Sequence, residues 1–202
     1  MKQRPKYFKF VLTALFIAII FILAFTPLGF IPIGIVRVTT IHIPVILGSI
    51  LLGPKIGAIL GATFGLVSLL TNTLMPGLIS FVFSPLIPIP GTTSGSMAAL
   101  IVCFVPRILV GIVPYFVYKY SQKFGAISFV LAGLAGSMTN TILVLHFIYF
   151  LFHDAYSSAL NIASDAVYAA IMAIITTNGI VEAIVASLLV AALGKVLHTR
   201  IG

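Results

Sequence analysis

Residues 53–65 read GPKIGAILGATFG, which places a glycine at every fourth position of an apolar stretch. Residues four apart lie on one face of a helix, so the four glycines predict a helix with one bare face. They are Gly53, Gly57, Gly61 and Gly65. A face without side chains lets a neighbouring helix approach closely, as is common in membranes. We expect this face to pack against another helix of the same chain.

The composition around this stretch is that of an integral membrane protein. Of 202 residues, 61% are hydrophobic and only 7% are charged, and the mean hydropathy is +1.27. These values lie far outside the range of soluble globular domains. We therefore expect an all-α fold that forms one membrane domain over residues 1–202.

Hydropathy and turn residues divide the chain into six apolar segments, each of which we expect to be a transmembrane helix. They are residues 8–26, 39–53, 55–72, 97–118, 125–151 and 166–194. The first segment is longer than the core of a secretory signal and lacks a small-x-small cleavage site. We therefore expect it to be retained.

The basic residues predict the orientation of these helices. With a cytoplasmic N-terminus, nine of the eleven Lys and Arg residues lie inside: Lys2, Arg4, Lys6, Lys9, Lys55, Lys119, Lys123, Lys195 and Arg200. Asp154 and Asp165 fall in the opposite loop. This bias follows the positive-inside rule, so both termini are expected to be cytoplasmic. The net charge of +8 is thereby explained by topology, and nucleic acid is not an expected partner.

Two segments on the expected outer side are rich in Pro and Gly yet remain apolar. We call residues 27–38 the first connecting segment and residues 73–96 the second connecting segment. Repeated Pro and Gly oppose a continuous helix, and irregular backbone at membrane depth is tolerated where it lines a cavity. We expect the two segments to cover an outward-facing pocket. The alternative is a pair of loops that dip into the headgroup region.

Arg107, in the stretch FVPRILVG of residues 104–111, is the most informative polar residue. An arginine at the centre of a spanning helix costs about 2.5–3.5 kcal/mol on insertion scales, so it should face a partner or a wet cavity. One interpretation is an ion pair with Glu182. The other is a site for an anionic ligand group such as a carboxylate, which Arg binds with two parallel hydrogen bonds.

Asn140 and Asn178 are the other candidate binding residues within the spans. Asn140 continues a face begun by Gly133 and Gly136, which turns its amide toward the protein interior. Either amide could pair helices or could bind amide and hydroxyl groups of a ligand. Asn72 and Arg37 are candidates at the outer side.

Other function classes lack their motifs. The sequence contains no phosphate-binding loop, no HExxH motif and no nucleophile with a plausible base, so we expect neither an ATPase nor another enzyme. The histidines have no metal-ligand spacing, and we expect no metal and no cofactor.

The whole chain resembles the substrate-binding S components of energy-coupling factor (ECF) transporters. The resemblance rests on residues 39–70 (TTIHIPVILGSILLGPKIGAILGATFGLVSLL), on FVPRILVG and on the A-x-x-x-A motif of Ala14 and Ala18. It implies that a vitamin binds from outside, in a pocket formed by helices four to six and two outer loops. It also implies delivery through a transmembrane coupling subunit and two cytoplasmic ATPases, in the cell membrane. By the resemblance, Ala14 and Ala18 contact the coupling subunit.

Within the family, the chain is most similar to the pantothenate-specific members. Pantothenate carries a carboxylate, an amide and two hydroxyls, which Arg107, Asn140 and Asn178 could bind. The absence of Trp argues mildly against the large aromatic vitamins. The alternatives that stay open are another carboxylate vitamin such as folate or niacin, a stand-alone secondary carrier, and a purely structural membrane subunit.

Overall fold

The computed structural model describes residues 7–33 and 36–201, without the side chains of residues 30–33, 36–38, 198, 200 and 201. Its long helices are α1 (Phe8–Ala24), α2 (His42–Leu52), α3 (Pro54–Leu74), α4 (Ala98–Ser121) and α5 (Ile127–Leu160). A last rod is built from α6 (Val167–Ile174), a π-helical turn (Ile175–Gly179) and α7 (Ile180–Ile201). The helical class predicted from the sequence is therefore confirmed.

Four helical segments are long and apolar enough to cross a membrane. They are Pro54–Leu74, Ala98–Phe124, Ile127–Leu160 and Ser164–Leu197. Phe8–Ala24 and His42–Leu52 are apolar but shorter. The predicted count of six spans thus stays a prediction, although the positions of the helices follow the predicted segments closely.

The first connecting segment is the main addition to the predicted helices. It contains a 3₁₀ turn (Pro27–Gly29) and a short antiparallel hairpin of β1 (Phe30–Ile33) and β2 (Val36–Thr39). The second connecting segment holds a 3₁₀ turn at Ser80–Val82 between turns and bends. Neither segment is a continuous α-helix, as their Pro and Gly content predicts.

Three of the four glycines pack against another helix of the chain, as predicted, and that helix is α4. A Cβ atom on Gly57 would overlap the carbonyl oxygen of Gly111, and one on Gly61 would overlap that of Arg107. A Cβ on Gly65 would lie 2.8 Å from the ring of Phe104. Partner numbers fall as the glycine numbers rise, so the two helices run antiparallel with their backbones in close approach.

Gly53 has a different role from the one predicted. It lies between α2 and α3 with a φ of 95°, and a Cβ there would have no heavy atom within 4 Å. Such a backbone conformation is readily adopted only by glycine. Gly53 therefore makes the sharp connection between the two helices, and Pro54 begins α3 with its fixed φ.

The fifth and sixth helical rods are longer than predicted. Helix α5 continues to Leu160 through a break at Phe152, whose φ of –137° and ψ of 23° are not helical. It ends at Asn161, which adopts the left-handed conformation common at helix C-termini. The final helix continues to Ile201. The two predicted C-terminal ends follow the fall in hydropathy, whereas the helical backbone hydrogen bonds continue further along the chain.

Candidate ligand-binding cavity

A cavity with a volume of about 810 Å³ lies among α3, α4, α5, the last helical rod and both connecting segments. This is within the range of pockets that enclose small organic ligands. Its polar lining residues are Thr26, Thr39, Ser68, Thr71, Asn72, Ser80, Arg107, Asn140, Thr141, Asn178 and Glu182. The remaining lining residues are apolar or glycine, so these polar groups would orient whatever enters.

Arg107 lines this cavity, with only 6% of its surface exposed. One terminal nitrogen of its guanidinium donates to the carbonyl oxygen of Val102 at 2.6 Å. The guanidinium carbon lies 5.5 Å from the ring centre of Phe64 and 5.0 Å from that of Phe83. Two aromatic faces thus hold the cation by cation–π contacts, with Phe83 supplied by the second connecting segment.

The guanidinium has no carboxylate partner among the described residues. No oxygen of Glu182 lies within 4.0 Å of Arg107, so the structure does not form the ion pair that the sequence left open. The Nε atom of Arg107 is buried and has no hydrogen-bond partner within the described part of the chain. A buried cation without a counter-ion is costly, which leaves this end of the cavity suited to an anionic group.

Asn140 lies on the cavity wall, as its position on the glycine face predicts. Gly133 packs against the backbone of Ala186 and Ser187, while Gly136 packs against Ile46 and Pro114. These contacts bring α5 close to its neighbours and turn the next residue of that face inward. The side-chain oxygen of Asn140 is buried without a partner among the described residues. A ligand that reached this oxygen would therefore displace no hydrogen bond among the described residues.

Asn178 and Glu182 reach the cavity from the π-helical turn and the start of α7. A π-helical turn inserts an extra residue into the helix, and such turns occur often at functional sites. Asn178 makes one long hydrogen bond, in which the Thr177 hydroxyl donates to its side-chain oxygen at 3.4 Å. The wide turn thus places two polar side chains, four residues apart, on the same wall.

Asn72 also lines the cavity, but its amide is already engaged. Its Nδ2 donates to the carbonyl oxygen of Ser68 at 2.8 Å, and its Oδ1 accepts from the Ser80 hydroxyl at 2.8 Å. The Ser80 hydroxyl in turn accepts from the backbone N–H of Gly77 at 2.9 Å. Asn72 therefore fastens the second connecting segment to the end of α3.

Two further predictions concern residues away from the described cavity wall. Ala14 and Ala18 are exposed on α1, as a surface for another membrane subunit requires. The side chain of Arg37 lies outside the described residues, and only its backbone is placed, opposite Pro32 in the hairpin.

Sequence reasoning missed several wall residues, among them Phe64, Phe83, Ser80 and Thr141. The two phenylalanines carry no distinguishing signal, because the chain has 16 of them in apolar surroundings. Thr141 directly follows Asn140 and could have been noted for that reason. Glu182 was considered only as a partner of Arg107, and its actual partners are Thr39 and Thr141.

Helices long and apolar enough to cross a membrane thus surround a cavity with converging polar groups, an arrangement typical of membrane proteins that bind small molecules. The model of the family described as "ECF transporter, substrate-specific component" matches residues 8–194, and the chain belongs to this family. It is therefore a membrane-embedded component of a transporter. The resemblance inferred from the sequence is confirmed.

Individual proteins similar to this chain include a curated transporter and a solved structure. The pantothenic acid transporter PanT of Lactococcus lactis subsp. cremoris (strain MG1363) is 43% identical over 149 residues, which cover 73% of this chain and 71% of that protein. The crystal structure of the S component for biotin from an ECF-type ABC transporter superposes with a TM-score of 0.54 at 22% identity. That superposition covers 96% of this chain and 95% of the other, and it supports the fold.

Proposed function

We propose that this chain binds pantothenate and delivers it to the cell interior as part of an ATP-driven importer. The single observation that carries this assignment of the cargo is the buried Arg107, which lines the cavity and has no acidic partner among the described residues. The 43% identity to a protein named as a pantothenic acid transporter supports the same cargo.

Arg107 would bind the carboxylate of the vitamin. Phe64 and Phe83 make cation–π contacts with the guanidinium, and the bond to Val102 occupies only one of its nitrogens. The remaining N–H groups are free to donate to a carboxylate, a charge-assisted interaction that is roughly twice as strong as a neutral hydrogen bond. A carboxylate from the cargo would thus supply the counter-ion that the fold omits.

Asn140 and Asn178 would bind the amide and hydroxyl groups of the vitamin. Each side-chain amide offers both a donor and an acceptor, and the oxygen of Asn140 is unpartnered among the described residues. The apolar wall, which includes Val67, Val144 and Leu145, would contact the branched methyl groups of pantothenate. Asn72 and Arg37 would support the binding site from the outer side.

We further propose that both termini are cytoplasmic and that six helices cross the cell membrane. This orientation would put the two connecting segments outside, where the cargo enters. Ala14 and Ala18 would contact a transmembrane coupling subunit, and two cytoplasmic ATPases would supply the energy. The exposure of Ala14 and Ala18 on α1 supports the proposed contact with the coupling subunit.

The experiment that tests the cargo is calorimetric titration of the detergent-purified protein against six vitamins. They are pantothenate, folate, niacin, riboflavin, thiamine and biotin. We expect one-to-one binding of pantothenate alone. Binding of a different vitamin would overturn the cargo while leaving the family assignment intact. If a folded sample binds none of the six vitamins, a purely structural subunit would be favoured.

A separate uptake experiment tests the dependence on partner subunits. We expect proteoliposomes that contain this chain alone to accumulate no pantothenate, because the proposed transport depends on ATP hydrolysis and the chain has no phosphate-binding loop of its own. Accumulation without ATPase subunits would instead identify a self-sufficient carrier.

A further inference from the structure

Glu182 is an unexpected residue in a cavity that we assign to an anion. Its side chain lines the same cavity as Arg107, and only 9% of its surface is exposed. Burying a carboxyl group is costly unless it is well hydrogen-bonded. A carboxylate that faced the cargo directly would also repel the carboxylate of that cargo. Its position therefore calls for a role other than direct attraction of the ligand.

The hydrogen bonds of Glu182 indicate that role. Its Oε1 accepts from the backbone N–H of Thr39 at 2.8 Å, across 143 positions of sequence. Its Oε2 accepts a longer bond from the Thr141 hydroxyl at 3.5 Å. Thr39 is the last residue of β2, and it also lines the cavity. The short bond therefore joins two walls of the cavity.

Thr40, the next residue, is bonded to the first connecting segment and not to the last helical rod. Its N–H donates to Gly29 and its hydroxyl donates to Leu28, both within its own stretch of chain. Among the described hydrogen bonds, the one from Thr39 to Glu182 is the bond that attaches this stretch to the last helical rod. Glu182 thus anchors the point where β2 meets the cavity.

We propose that Glu182 is a positioning residue that holds the end of β2 against the cavity and so slows the release of the cargo. This inference rests on the proposed function. The carboxyl group is used by a backbone amide and is therefore not directed at the ligand. A bond to a carboxylate is stronger than one to a neutral acceptor, which explains why an acidic residue serves here.

The first readout needs no cargo. The N–H of Thr39 is itself the donor, so hydrogen–deuterium exchange of that amide reports the bond directly. In the ligand-free protein we expect Glu182→Ala to accelerate exchange at Thr39 by roughly tenfold and the nearly isosteric Glu182→Gln to accelerate it less. The matched control is Thr141→Val, which removes only the longer bond and should leave exchange at Thr39 nearly unchanged.

The second readout is the kinetics of labelled pantothenate. We expect Glu182→Ala to raise the dissociation rate by roughly tenfold while the association rate changes by less than about twofold. Thr39→Pro removes the same bond from the donor side and should raise the dissociation rate similarly. The double variant should be no worse than either single variant, because both remove one interaction.

Several results would overturn the proposal. Unchanged exchange at Thr39 in Glu182→Ala would show that the bond is not formed, and Glu182→Leu, which also lacks an acceptor, decides this if Glu182→Ala does not fold. Additive effects of Thr39→Pro and Glu182→Ala would indicate that Glu182 acts on the cargo directly. If the wild-type protein binds no pantothenate, the proposed cargo fails, whereas the exchange at Thr39 still tests the anchor.

Discussion

At the scale of single residues, the function depends on how Arg107 is held. Its guanidinium carbon lies 5.5 Å from the ring centre of Phe64 and 5.0 Å from that of Phe83. Both rings are within cation–π distance of the charge. Because Phe83 belongs to the second connecting segment and Phe64 to α3, the anion site is assembled from separate parts of the chain.

Replacing Phe83 tests this arrangement. Phe83→Leu keeps an apolar side chain and removes the aromatic face, so the guanidinium loses one cation–π contact worth about 0.5–2 kcal/mol. We expect the Kd for pantothenate to rise by roughly 2- to 30-fold, as measured by calorimetry. Phe83→Tyr, which keeps the ring, is the control and should bind nearly as tightly as the wild type. Equal losses in both variants would contradict the cation–π role.

The roles of the cavity residues differ in how well they can be predicted from the sequence. Arg107 could be predicted because a charge within an apolar helix needs a reason. Asn140 could be predicted from its place on the face of Gly133 and Gly136. Phe83 could not, since its ring acquires a role only when a loop folds back over α4. Glu182 was visible as a charge, but its partner Thr39 lies 143 positions away.

At the scale of elements, the close packing of α3 on α4 sets the position of Arg107. A Cβ on Gly61 would overlap the carbonyl oxygen of Arg107 itself and would lie 2.8 Å from the Cα of Ile108. The missing side chain on α3 therefore lets α4 place its arginine at the depth of the cavity. The contact of Gly61 with α4 therefore affects both helix packing and the position of the proposed ligand-binding arginine.

A methyl group at Gly61 should therefore lower both the stability of the protein and its affinity for pantothenate. Because backbone atoms cannot move aside as a side chain can, we expect Gly61→Ala to push α4 away and destabilise the protein by about 1–3 kcal/mol. Affinity for pantothenate should fall as well. The same change at Gly77, where a Cβ would meet only the Ser80 hydroxyl oxygen at 4.0 Å, is the control for stability.

Thermal denaturation in detergent measures the first effect and calorimetry the second. A Gly61→Ala protein with wild-type melting temperature and affinity would show that the helices separate without cost. It would also remove the proposed link between the glycine face and Arg107.

Elements were predictable where a local pattern determines them. The spacing of Gly57, Gly61 and Gly65 predicts their contact, because a bare face has few uses other than packing. Gly53 matches the same spacing and yet serves a turn, since Pro54 starts a new helix there. The π-helical turn of Ile175–Gly179 follows from no pattern that we recognise in the sequence. It depends on how α5 and the cavity shape the last rod.

At the scale of the whole molecule, antiparallel packing brings three lysines of the described helices to the same end. Gly57 lies against Gly111 and Gly133 lies against Ser187, so the start of α3 is level with the end of α4, and the start of α5 with the end of α7. Lys55, Lys119 and Lys195 occur at those ends. The charge pattern could be read from the sequence because the positive-inside rule acts on loops and not on tertiary contacts.

The surface of α1 tests the assignment to a multi-subunit importer. Ala14 and Ala18 are exposed, so replacing both with Leu should leave the cavity and the affinity for pantothenate unchanged. We expect the double variant to lose co-purification with the coupling subunit and to lose ATP-dependent uptake, because larger side chains prevent close helix contact. Ala169→Leu, an exposed alanine on α6, is the control and should retain both. Normal uptake by the double variant would rule out this contact.

The most direct test of the account is a comparison of two ligands on two proteins by calorimetry. Pantothenol replaces the carboxylate of pantothenate with a hydroxymethyl group, and Arg107→Gln replaces the guanidinium with a neutral amide. If Arg107 binds the carboxylate, the wild type should prefer pantothenate by about 2–5 kcal/mol, which is roughly 30-fold to a few thousandfold in Kd. The Arg107→Gln protein should bind the two ligands almost equally. A wild type that does not distinguish them, or a variant that still does, would contradict the account.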